Sequence, residues 1–90
     1  MIAFEQIDPF VKFWQEDRTY HLDVRELLDN GGEPYEVIMS CVLQIDADDR
    51  LVLHAPFEPK PLIRQLRGMG LQAHSARVDV DHWTLAVSRD

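Results

Sequence analysis

A small α/β (α+β) two-layer sandwich is the fold class this sequence predicts, in the order β-α-β-α-β-β, with a four-stranded mixed sheet and an added N-terminal helix. Three observations lead there. The runs Thr19 to Val24 and Arg50 to Ala55 alternate apolar and polar residues at the period of a half-buried strand. Each run is followed by an acidic residue directly before proline, Glu33-Pro34 and Glu58-Pro59, heading a helix-like stretch. Proline early in a helix sacrifices an N–H that would be unpaired anyway, and a carboxylate beside it faces the positive end of the helix dipole. Two more strand-like runs then close the chain. A helix between consecutive strands is what a parallel crossover requires, so the first two strands are expected parallel, the last two antiparallel, and both core helices on one side of the sheet.

The first segment, residues 1–18, is predicted as an aromatic helical extension preceding a domain at 19–90. Asp8 is placed to cap it before Pro9, and Ile7, Phe10, Val11 and Trp14 fall on an i, i+3, i+4, i+7 stripe. Phe10, Phe13 and Trp14 make this segment too apolar to sit free in water, so it is expected to dock on its own domain or on a partner. In the first strand Tyr20, Leu22 and Val24 share one face and Thr19, His21 and Asp23 the other. Arg25 to Gly32 reads as a loop. From Pro34, the residues Ile38, Cys41, Val42 and Ile45 mark the core stripe of a helix, ended by Asp46, Asp48 and Asp49, whose short acidic side chains favour turns.

In the second strand Leu51, Leu53 and Ala55 face the core and Val52 and His54 face away. From Pro59, Leu62, Ile63, Leu66 and Met69 are expected inward with Arg64, Gln65 and Arg67 outside, and Gly70 ends the helix because glycine adopts the left-handed conformation freely. Leu71 to Val80 forms the third strand, with a phase slip near Ser75 and Ala76 that suggests a bulge. Asp81-His82 then turns into Trp83, Leu85 and Val87.

Composition narrows the function. Ninety residues make one domain, able to bury roughly 60 to 65% of the surface its unfolded chain exposes. Nine Lys plus Arg against 16 Asp plus Glu give a net charge of −7, which repels phosphate backbones and anionic membranes, so neither nucleic acid nor membrane is an expected partner. With no basic leader and no uninterrupted apolar stretch the protein reads as cytoplasmic, and the single cysteine, Cys41, fits a reducing compartment.

The run Leu22-Asp23-Val24-Arg25, the helix start Glu33-Pro34-Tyr35-Glu36, the stretch Ala55-Pro56-Phe57-Glu58-Pro59-Lys60-Pro61-Leu62 and the closing Trp83-Thr84-Leu85-Ala86-Val87 resemble the family known as domain of unknown function 2249, over about residues 19 to 89. That family is similar in fold to the TusA and SirA sulfur carriers, which implies a sheet in the order 1-2-4-3 with the last strand antiparallel to the rest. In those carriers a cysteine directly before a proline, at the start of the first helix, accepts a persulfide. Glu33 stands at that place here, and a carboxylate cannot carry persulfide sulfur. Cys41 lies about two turns further on the apolar stripe, where burial raises a thiol's pKa and suppresses its reactivity.

Parallel strand-helix units open their helix starts and strand ends on one edge, where ligands bind. The candidate ligand residues on that edge are Arg25, Glu33, Tyr35, Glu36, Phe57 and Lys60, with Tyr35 and Phe57 as apolar walls. Arg25 has an alternative role, pairing with Asp23 or a nearby glutamate. The four histidines include no H-x-H or H-x-x-x-H pair, and His21 and His54 differ in height along their strands, so no metal site is assigned. Phe10, Phe13, Trp14, His21 and His54 are the candidate partner or dimer interface across the helix-free face. No catalytic residue and no cofactor are assigned. The expected function is a noncatalytic binding or protein-interaction module with an unknown protein partner or a second copy of itself. The alternatives are a sulfur-transfer or redox protein and a sensor of small anionic ligands at the helix starts.

Overall fold

The computed structural model describes residues 9–89. Strands β1 (Lys12–Glu16) and β2 (Thr19–Asp23) are followed by helices α1 (Arg25–Asp29) and α2 (Tyr35–Gln44). Then come β3 (Arg50–Ala55), α3 (Lys60–Gly68), β4 (Gln72–Asp79) and β5 (His82–Ser88). One mixed sheet of five strands runs β1-β2-β3-β5-β4. β2 and β3 are parallel, whereas β5 lies antiparallel to both β3 and β4. Taken alone, the four expected strands stand in the order 1-2-4-3.

The N-terminal segment corrects the sequence reading. Instead of a helix, residues 12–16 form a fifth strand on the free edge of β2, joined to it through Asp17 and Arg18. Asp17 takes φ 53°, the left-handed conformation that a tight hairpin needs and that aspartate tolerates better than most residues. The strand splits the stripe that suggested a helix: Val11, with Phe13, turns partly toward the core, and Trp14, with Lys12, toward the opposite face. Ile7 and Asp8 lie outside the described residues.

Other differences are local. Residues 25–29, expected as loop, form the short helix α1. It ends with Gly31 at φ 79°, Gly31 N–H donating to Leu28 and Gly32 N–H to the carbonyl of Leu27. α3 ends identically, with Gly70 at φ 86°, its N–H on Arg67 and Leu71 N–H on Leu66, while Leu66 and Leu71 are both buried. Met69 therefore sits in the helix cap and is exposed rather than in the core. The irregularity in β4 falls between Arg77 and Asp79 rather than at Ser75 and Ala76, and His82 already belongs to β5.

The core is continuous. Leu22, Leu51, Leu53, Leu85 and Val87 of the sheet pack with Ile38, Cys41 and Val42 of α2 and Ile63 and Leu66 of α3. α2 and α3 thus cover one face. Arg89 donates from Nε to the Ile45 carbonyl and from Nη2 to that of Val42, pairing carbonyls that the end of α2 leaves without an intrahelical donor. Lys12, Trp14, His21, Asp23, Val52, His54, Thr84 and Ala86 occupy the helix-free face by strand register.

Candidate functional site

At the start of α2 the Glu33 carboxylate accepts the N–H of Tyr35 at 2.9 Å and so satisfies one of the helix's free donors. The side chain is committed to its own helix. Between this helix start and that of α3 runs a groove of about 400 Å³, floored by Val24, Leu28, Ile38, Leu53 and Ala55 and walled by Tyr35, Phe57, Pro59 and Leu62. Gln65 reaches across the groove to donate its amide to the Tyr35 hydroxyl. Tyr35 and Phe57 are 43% and 52% exposed, large apolar surfaces left at the rim.

The six predicted ligand residues do not form one site. Glu33, Tyr35 and Phe57 line the groove, and Glu36 borders a shallow recess beside Glu33 and Tyr35. Lys60 belongs to a separate cleft with Glu58, Arg64 and Ser75, where the Ser75 hydroxyl donates to Glu58. Arg25 points elsewhere again. Its guanidinium grips the Asp23 carboxylate, with Nη2 to Oδ2 at 2.7 Å and Nε to Oδ1 at 3.1 Å, while its backbone N–H donates to Oδ1 at 3.0 Å. Burial would raise the Asp23 carboxyl, but the Arg25 hydrogen bonds and charge outweigh it and hold the group below its ordinary range. The same partner holds Arg25 up. Asp23 and Arg25 line a polar cleft of about 550 Å³ with Phe10, Lys12 and Asp81.

The helix-free face contains what sequence reasoning missed. Nδ1 of His21 lies 3.0 Å from Nε2 of His54, and Nδ1 of His54 lies 2.8 Å from Nε2 of His82. Three imidazoles form a hydrogen-bonded row across β2, β3 and β5. Trp14 covers it, its ring 4.8 Å from that of His21 at an interplanar angle of 3° and 5.3 Å from that of His54. Burial pushes the His54 imidazole below its ordinary pKa; the positive charges of its neighbours add to this and Asp23 opposes it.

His21 and His54 do differ in height, since Asp23, not His21, is the register partner of His54. The rings span that offset of two residues. His74, beside Ala86 on the edge strand, stands apart from the row. Of the predicted interface residues, Trp14, His21 and His54 are in contact, Phe13 stacks on Tyr20 at 5.9 Å, and Phe10 belongs to the polar cleft. His82 comes into range through the antiparallel register of β5 on β3, which sets Thr84 opposite His54, and that register is not written in local sequence. Because the central ring uses both nitrogens, the row does not converge on one point; among the described residues no group of three or more His, Cys, Asp or Glu is placed to hold a metal ion.

Fold and sites together define a small α+β domain with a groove at its helix starts and a polar, histidine-lined sheet face. The chain belongs to the family described as uncharacterized conserved protein (DUF2249), whose sequence model matches residues 21–89. β1 lies outside that match. No curated protein and no solved structure matches the chain.

Proposed function

We propose that this chain is a noncatalytic binding and interaction module of TusA/SirA-like fold, and that its site is the apolar groove between the starts of α2 and α3. The groove itself carries the reading: about 400 Å³ lined mainly by aliphatic, aromatic and proline side chains at the carboxyl ends of two parallel strands. An apolar side chain presented by another protein fits such a groove. Sulfur transfer is less well supported, because Glu33 caps its own helix and burial pushes the Cys41 thiol up to about 12. The sheet order favours the carrier-like fold without its chemistry. We place the module in the cytoplasm, and Trp14 and its neighbours on the helix-free face are our candidates for a homodimer contact.

Backbone amide NMR with capped peptides bearing a central Leu, Phe or Trp tests the groove. Saturable shifts at Leu28, Tyr35, Phe57 and Leu62 that vanish in Phe57→Ala are expected. Peptides that leave these amides unmoved, or move them equally in the variant, would refute it.

A further inference from the structure

The row of His21, His54 and His82 has a proton capacity that can be counted. Six ring nitrogens take part: four are paired into two links, and two, Nε2 of His21 and Nδ1 of His82, are outer. Each link holds one hydrogen and each outer nitrogen one, so four hydrogens fit without conflict. Three neutral imidazoles bring three. The row therefore takes one proton from solvent with both links intact, and that proton can rest on either end ring by shifting the link hydrogens. An imidazolium at His21 faces Glu16, whose carboxylate is 3.6 Å from Nε2.

A second proton has no such place. With His21 and His82 both charged, each directs an N–H at His54, and one of the two meets the hydrogen that the neutral central ring already carries. One link must break, and two cations then share a surface from which His54 cannot retreat into water. The other charged groups around the row do not relieve this: Lys12 on β1 and Arg25 at the start of α1 are cationic, Asp23 on β2 is held by Arg25, and Asp81 precedes His82 at the cleft. The weakest neighbouring element is β1. It is mostly exposed, joined to the sheet along β2 alone, and anchored by Phe13 against Tyr20 and by Trp14 over His21 and His54.

We infer that the imidazole row is a one-proton store, and that its second protonation is a latch that releases Trp14 and detaches β1 from the sheet edge. The matched family region begins at His21, so the strand that covers the row lies outside that region.

The full chain carrying 5-fluorotryptophan tests this, because fluorine NMR separates Trp14 from Trp83, with Trp14→Phe assigning the signals. Titrated downward from pH 8, the Trp14 resonance should hold through the first protonation of the row. With further acid Trp14 should then move to a solvent-exposed shift, with exchange of the residue 12–16 amides rising about tenfold while Trp83 holds. His54→Gln should abolish the Trp14 transition by leaving two separate rings. A Trp14 resonance that moves already with the first proton bound would overturn the store. Trp14 and Trp83 moving together, or a Trp14 transition that survives in His54→Gln, would overturn the latch.

Discussion

Burial decides the chemistry of single residues here. Cys41 is 1% exposed and its thiol is pushed up to about 12, so almost no thiolate exists at neutral pH. Alkylation of the native chain by iodoacetamide at pH 8 should run at least about a hundredfold slower than in urea, the native rate tracking opening of the fold; equal rates would return the thiol to functional contention. Asp23 is 7% exposed and depends on Arg25. Arg25→Ala should cost about 1 to 3 kcal/mol in urea unfolding, toward the lower value because the arginine is itself partly exposed. The Asp23 pKa is lowered by folding, so its contribution is present above the unfolded value near 3.8 and is lost as pH falls through the folded value. Cys41 and Arg25 were legible in the sequence, since an apolar stripe and a neighbouring acid are local facts. The histidine row was not, because its three members come from strands whose neighbours are chosen by the whole sheet.

Elements owe their ends to a few backbone positions. At Gly32 an added Cβ would lie 2.2 Å from Leu27 Cδ1 and 2.8 Å from Leu27 Cγ, and Leu27 is buried. Gly32→Ala should therefore destabilise by about 1 to 3 kcal/mol through overpacking, read as a lower urea midpoint with unchanged slope. At Asp17 the reverse holds: Asp17→Gly relieves the left-handed turn and should slow amide exchange in β1. If β1 were helical, that glycine would instead weaken it. The helix starts at Pro34 and Pro59 and the glycine stop at Gly70 were readable because they are chemical signals confined to two or three residues. β1 misled because Phe10, Val11 and Trp14 recur at helical spacing in the sequence, although Val11 and Trp14 end on opposite faces of the sheet. The deciding factor, a free β2 edge within hairpin reach, belongs to tertiary structure.

For the molecule as a whole, acid should act in stages. The His54 pKa is lowered by folding, so its stabilising share is complete above the unfolded value near 6.5 and is lost as pH falls from there through the folded value. The urea midpoint should accordingly decline over the range just below the unfolded value near 6.5, and His54→Gln should flatten the decline. A midpoint constant over that range would contradict the burial of His54. Removing residues 1–18 would bare the histidine row and the β2 edge together. Light scattering on that shortened chain, compared with the full one, reports whether β1 shields the surface from self-association or supplies a dimer contact. No helix among the described residues is long and apolar enough to cross a membrane.

The position of β5 between β3 and β4 has a consequence for synthesis. β3 can pair with β2 as soon as it is made, but its other edge, and β4 altogether, find their permanent neighbour only when residues 82–88 have cleared the ribosome. Until then the nascent chain carries the apolar faces of α2 and α3 with an incomplete sheet to receive them, and tunnel-stalled lengths ending before His82 should be protease-sensitive where longer ones resist.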